Sequence, residues 1–335
     1  MLGLAQASAD RREPSAATAE QVEELLAREP LSAEPYAVKG AMALRGAKYG
    51  LAEQLLAASR QRDPRNRPVR FLLAEAYLRQ QKVEPALQEL VVLTHLSPEM
   101  TSPVTAMLAQ YSRTLGATPR LRRALARNAP LENALLLQLA ADPANAKLIL
   151  SLASQIRGRD QLLDWQQKLL SSCVEAGQFR TAWELWRRFS NLPASAVGDF
   201  SDSKLPSPFT WTLILSGEGV ANPGGRGLDV DFFGRRNVTL ASKLLMLRSG
   251  LYELRFRVNE PSSDPSSLHW VFTCLLGGRD LLNLPLPKTS SGWVSASFQV
   301  PLGCEAQRVE LKGLAQIYPT EVTLSIADLQ VRKLP

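Results

Sequence analysis

Residues 36–63, YAVKGAMALRGAKYGLAEQLLAASRQRD, lie over residues 70–97, RFLLAEAYLRQQKVEPALQELVVLTHLS, at a shift of 34. Gly40 falls on Ala74, Ala43 on Tyr77, Ala52 on Ala86 and Pro64 on Pro98, and Pro30 lies one further period upstream. A period of this length, with a small residue in each apolar segment and a proline after the second, describes a repeated helical hairpin. One hairpin cannot bury its apolar face alone, so copies stack and leave a concave surface. The stretch therefore predicts a binding surface and is silent on what is bound.

This pattern resembles the tetratricopeptide repeat (TPR). Working outward from it, residues 19–28 read as the second helix of a hairpin whose first helix is absent. The segments 33–45 and 49–62 form the first full repeat, and 69–79 and 83–96 the second. Pro35 and Pro85 sit near helix starts, where the missing N–H costs nothing. The period then decays through helices at 101–115 and 119–127, the latter carrying Arg120, Arg122, Arg123 and Arg127. The segments 131–141 and 143–156 form a further hairpin, with Asp142 as N-cap and Pro143 at the first helical position. Residues 160–175 and 179–189 restore the repeat around Gly177. Trp165, Trp183 and Trp186 stand at helical spacing there, which suits a core better than a ligand cluster.

A chain of 335 residues is long for a single core and predicts two domains. No run reaches 18 apolar residues, so no membrane span is expected. The net charge is +7, of which about +6 lies before residue 199, where Arg outnumbers Lys about fourfold. Such a surface attracts anions: acidic peptides, acidic glycans or nucleic acid. Solvated arginine-rich faces are the plainer reading. The N-terminus ends a short apolar stretch with Ala7-Ser8-Ala9, the small-x-small pattern that precedes signal cleavage, but has no basic segment before it. Residues 1–18 are read as a signal-peptide remnant or a disordered terminus. Periplasmic or exported location follows from the first alternative, cytoplasmic from the second.

Residues 190–207 carry Pro193, Gly198, Pro206 and several Ser and Asp without periodicity, as a linker or covering loop does. From Pro208 the apolar period becomes two. Leu228, Val230 and Phe232 alternate with Asp229 and Asp231. Tyr252, Leu254, Phe256 and Val258 alternate with Glu253, Arg255 and Arg257. Val294, Ala296, Phe298 and Val300 form a third such set and Val322, Leu324 and Ile326 a fourth. About nine strands at short spacing predict a sandwich. After Ile326 the phase slips to Leu329 and Val331, which predicts a bulge in the last strand. The fold class is thus α and β in separate domains. A TPR-like α-solenoid at 19–190 and a linker at 191–207 precede an antiparallel β-sandwich at 208–335.

Of the three cysteines, Cys173 takes a packing position in a repeat helix and reads as a buried free thiol. Cys274 and Cys304 both lie in the β-rich part. A disulfide between them implies an oxidising compartment and contributes roughly 3–4 kcal/mol for such a loop. Two separate buried thiols is the alternative.

The segments LASKLLMLRSGLYELRFRV (240–258), SGWVSASFQVP (291–301) and IADLQV (326–331) resemble successive strands of a jelly-roll carbohydrate-binding module. With the repeats in front, the whole chain resembles a group of TPR proteins of bacterial envelopes that carry a C-terminal β-sandwich. The shared marks are Phe209 with Trp211, Trp270 with Cys274, and Val300-Pro301 with Cys304. The resemblance implies architecture first and sugar binding only weakly, and it implies no activity.

Chemistry is sparse. His95 and His269 are the only histidines, and neither has cysteine or carboxylate neighbours at zinc-ligand spacing. Gly224-Gly225-Arg226 and Gly277-Gly278-Arg279 are turns rather than nucleotide loops, and nothing calls for a cofactor. Asp229 and Asp231 share a strand face and suit glycoside hydrolysis or Ca²⁺ in principle, but a solvated face is the plainer reading. Trp211, Trp270 and Trp293 are the sugar-stacking candidates. Trp293 is out of phase with Val294 and Phe298, which points it outward. In the TPR register Arg45, Phe71, Glu75 and Arg79 line the inner groove, and the two arginines favour an acidic partner. Three functions follow. The first is a non-catalytic envelope protein, with a groove for a protein or peptide and a sandwich for polysaccharide. The second is an enzyme acting on polysaccharide, or its accessory, disfavoured by the missing acid–base pair. The third is a cytoplasmic nucleic-acid binder, disfavoured because no exposed aromatics interleave the arginines.

Overall fold

The computed structural model describes residues 16–156, 162–190, 197–204, 207–225, 227–259, 261–288 and 292–335. Ala7-Ser8-Ala9, Pro193, Pro206, Arg226 and Ser291 lie outside the described residues. The chain gathers into two compact units, Met1–Gln155 and Ile156–Pro335.

The described residues of the first unit are helical: α1 (Ala16–Arg28), α2 (Glu34–Arg45), α3 (Tyr49–Arg62), α4 (Arg67–Arg79), α5 (Val83–Leu96), α6 (Thr101–Ser112), α7 (Ala117–Leu125), α8 (Ala129–Leu139) and α9 (Ala146–Leu152). The sequence repeat is copied in the backbone. Ala47 and Gln81, 34 apart, both take the left-handed region, with φ 55° and 61°. The amide after each returns to the first helix, Lys48 N to Ala43 O and Lys82 N to Tyr77 O, both at 2.9 Å. Gly40 permits the close crossing of α2 and α3, because a Cβ there would sit 2.6 Å from Leu56 Cγ. Ala74, its counterpart, is fully buried. Asn66 and Asn128 cap α4 and α8, accepting from Val69 N and Leu131 N, each with a proline in the following turn. Asp142 does accept from Ala144 N, but a short 3₁₀ turn follows it and the helix proper ends at Leu152 rather than Ile156.

Leu56, Leu73, Leu90 and Leu93 fill the inside of the stack. Truncating any of them to Ala costs about 2–5 kcal/mol. The buried carboxylate of Glu89 on α5 takes Arg60 of α3 and Arg70 of α4 on its two oxygens.

The second unit opens with the hairpin α10 (Asp164–Glu175) and α11 (Phe179–Ser190), turned at Gly177 with φ 71°. Two sheets follow. One has the order β1 (Thr212–Leu213), β5 (Val238–Leu245), β10 (Gln307–Gly313), β7 (Leu268–Cys274), β8 (Asp280–Pro285). The other has β2 (Leu215–Ser216), β3 (Gly219–Pro223), β4 (Gly227–Phe232), β11 (Val322–Lys333), β6 (Gly250–Asn259), β9 (Val294–Val300). All pairings are antiparallel. Among the described residues there are eleven strands rather than about nine, because β1 and β2 have two residues each and leave no periodic trace. The expected bulge is present. The register between β11 and β6 slips between Ala327 and Gln330, and Asp328 takes φ 53°.

The core between the sheets is aromatic: Trp211, Phe232, Phe256, Trp270, Phe272 and Phe298. Residues 197–204 cover part of it. Phe200 joins the core, Trp211 Nε1 donates to Val197 O at 2.8 Å, and Trp211 N donates to Asp202 Oδ1 at 2.8 Å. The other oxygen of Asp202 accepts from Lys243 Nζ at 2.5 Å, and both side chains are buried. Burial pushes the Lys243 ammonium below its usual range, and the hydrogen bond it donates to Asp202 opposes that shift. Phe209 packs edge-on against Trp183 and Trp186, at 4.9 and 5.8 Å between ring centroids, so α10–α11 belongs with the sandwich.

Candidate functional site

In the helical unit a cleft of about 600 Å³ opens between α4 and α6. Phe71, Glu75 and Arg79 stand one turn apart on α4 and line it together, with Tyr49 at the start of α3. Pro103, Met107 and Tyr111 of α6 form the facing wall. The cleft is apolar at its floor, while Glu75 and Arg79 pair with each other at 3.3 Å near its rim. A pair this exposed is weak and is free to exchange one partner for a charge on a ligand. Arg45 ends α2 at the surface and is not among the residues lining this cleft.

On the sandwich, Trp293 precedes β9 and lies 44 % exposed. It follows the phase of Ser295, Ser297 and Gln299, all exposed. The neighbouring strand β6 supplies Arg255 and Arg257, whose guanidinium carbons stand 3.9 and 5.3 Å from the indole centroid. Each contributes a cation–π attraction of about 0.5–1 kcal/mol at an exposed site. Arg257 is also ion-paired with Asp328, the residue the bulge turns outward. The bulge, two arginines and the ring thus form one polar platform with an aromatic edge.

Trp211 and Trp270 do not belong to it. At 1 % and 0 % exposure they are core residues with no ring face for a sugar. The phase of Trp270 with Leu268, Phe272 and Cys274, against His269 and Thr273, marks that inward face. Trp165 and Trp186 are likewise buried. Asp229 and Asp231 face outward from β4, opposite Ser325 and Thr323. Among the described residues no group of three or more His, Cys, Asp or Glu is placed to hold a metal ion.

Cys274 and Cys304 form a disulfide with 5.7 Å between Cα atoms, joining the end of β7 to the loop before β10. Cys173 is a buried free thiol whose pKa burial raises to about 11. Glu89 with its two arginines, and Asp202 with Lys243, went unread in the sequence. The signal for the second was a lysine inside the apolar run Leu240–Leu245; Glu89 left none.

The first unit is thus a stack of helical hairpins with an open cleft, and the second carries a two-sheet sandwich with an outward aromatic platform. Residues 43–111 match the tetratricopeptide repeat family. No curated protein matches the chain. Among solved structures, TmCBM61 in complex with β-1,4-galactotriose is 11 % identical, with 43 % of this chain and 97 % of that one covered, at a TM-score of 0.28. The N-terminal cellulose-binding domain of the Cellulomonas fimi β-1,4-glucanase C is 17 % identical, with 39 % and 99 % covered, at 0.27. The Cut9–Hcn1 hetero-tetramer of the APC/C is 16 % identical, with 50 % of this chain but only 35 % of that one covered, at 0.26. At these scores the likenesses are of architecture, and none carries a ligand to this chain. No helix among the described residues is long and apolar enough to cross a membrane.

Proposed function

We propose that this is a non-catalytic interaction protein of the cell envelope. Its helical cleft takes a protein or peptide segment, and the sandwich platform at Trp293 takes an envelope or extracellular polysaccharide. The cleft carries the reading. Phe71, Tyr49, Met107 and Tyr111 offer an apolar floor of side-chain size, and Arg79 stands at the edge for an acidic group. The Cys274–Cys304 disulfide supports export to an oxidising compartment. The test is peptide display on the full chain. Enriched sequences with an apolar anchor beside Asp or Glu are expected, and they should lose binding to Phe71→Ala and to Arg79→Glu. Peptides that bind both variants unchanged would defeat the cleft assignment. A glycan array with the full chain and with Trp293→Ala tests the second site separately.

A further inference from the structure

We propose that a second cleft in the helical unit, between α7 and α9, binds an acidic polypeptide segment. It is independent of the α4–α6 cleft. The cleft has a volume of about 510 Å³, and Arg122 and Arg123 of α7 line it with Thr118, Ser151 and Ser154. Helix α7 reads ATPRLRRAL and holds no acidic residue. Its Leu121, Ala124 and Leu125 point inward, which forces the arginines out. Arg120 and Arg123 stand three residues apart on the helix, where like charges repel, and Arg127 follows in the turn after it. Among the described residues little relieves them. Arg127 meets Glu84 at 3.4 Å with both side chains largely exposed, and Arg120 bonds the amide oxygen of Gln81. No ion pair of Arg122 or Arg123 is found among the described residues. Lys147 lies one turn before Ser151 on α9 and adds a further cation. Glu132, which is bonded to Ser154 of the cleft, is buried, and its oxygens accept from Ser154 N and Oγ at 2.6 and 2.7 Å.

The remaining polar atoms select the ligand. The hydroxyls of Thr118, Ser151 and Ser154 already donate, to Ser112 O, Leu148 O and Glu132. They are left with lone pairs, which suit a ligand that brings N–H donors as well as negative charge. A polypeptide brings both; a phosphodiester backbone brings only charge. No aromatic ring lines the cleft, so neither bases nor sugar rings have a surface to stack on. Arg122 and Arg123 both line the cleft, and arginine forks meet carboxylates in bidentate fashion.

The experiment uses the full chain and fluorescence anisotropy with a labelled peptide of alternating Asp and Ser. Its Asn-Ser counterpart, an oligothymidylate and polygalacturonate serve as comparisons. The acidic peptide is expected to bind, more weakly as salt rises, and the Asn-Ser peptide is not. Combined Arg122→Glu and Arg123→Glu should weaken binding at least about tenfold, while Arg65→Glu on the α3–α4 connection, the same charge change per site, should not. If the double variant fails to fold by circular dichroism, Arg122→Gln with Arg123→Gln replaces it, with severalfold weakening expected. Equal binding of the Asn-Ser peptide overturns the proposal. So does indifference to the arginine variants, or tighter arginine-dependent binding of the oligonucleotide or the polygalacturonate.

Discussion

The two units bury charge in opposite ways. In the helical unit Glu89 lies under the joint between successive hairpins, and its two arginines still reach water, Arg60 more than Arg70. In the sandwich unit Asp202 and Lys243 are both sealed, 41 residues apart, and the carboxylate arrives on a covering segment rather than on a strand. A repeat stack can place a charge where each hairpin meets the next, because every joint keeps an outer edge in solvent. A closed two-layer core has no such edge, so a charge inside it depends on the groups buried with it.

That contrast can be broken most forcefully at Asp202. Asp202→Ala removes a buried partner of both the Lys243 ammonium and the Trp211 amide, and should cost about 3–5 kcal/mol in denaturant unfolding. Asp202→Leu combined with Lys243→Met should restore much of that loss. If the single and double changes cost the same, the pair is not what holds the covering segment. The same reasoning predicts that a fragment spanning 156–335 unfolds cooperatively, whereas one starting at 208, without Phe200 and Asp202, does not.

The disulfide comes next. Replacing Cys274 and Cys304 by Ala should cost about 3–4 kcal/mol for a loop of this length. Thiol counting on unfolded, unreduced protein should find one reactive group, Cys173. Glu89→Gln in the helical unit should cost less, about 1–3 kcal/mol, since water screens Arg60 once the charge is gone. A cost as large as that at Asp202 would erase the distinction between the units. The Cys173 thiol, raised to about 11 from 9.0 by burial, binds a proton in the folded state that the unfolded chain releases earlier. Stability should therefore fall as pH rises from about 9 to 11 and be insensitive to this group below that window. Trp293→Ala should have the smallest effect on stability, under about 1 kcal/mol, while removing whatever glycan retention the array detects.

Much of this was legible in the residues and some was not. The 34-residue phase located the inter-helix turns so closely that Ala47 and Gln81 adopt the same left-handed backbone. The slip from Ile326 to Leu329 marked the bulge at Asp328. These features are local, and local pattern encodes them. The cleft is different. Phe71, Glu75 and Arg79 share a face by helical spacing, but their facing wall comes from α6, beyond the point where the repeat fades. The partnership of Asp202 with Lys243 was hidden for the same reason: no spacing rule joins a loop to a strand that follows 41 residues later. Trp211 suits either a sugar-stacking or a core role on sequence, because a bulky ring beside a short strand looks the same whether it points in or out; the fold buries it.

The position of β11 sets a schedule for making this protein. It follows every other described strand in sequence, yet it lies between β4 and β6 and hydrogen-bonds to both. As the chain leaves the ribosome, β4 and β6 wait with open edges, and the six-stranded sheet cannot close until residues 322–333 have emerged. The helical hairpins ahead of residue 155 need only their neighbours and can settle while that wait goes on. A pause in translation just before β11 would hold a finished stack beside an open sheet, the state in which strand edges are most prone to pair with another molecule.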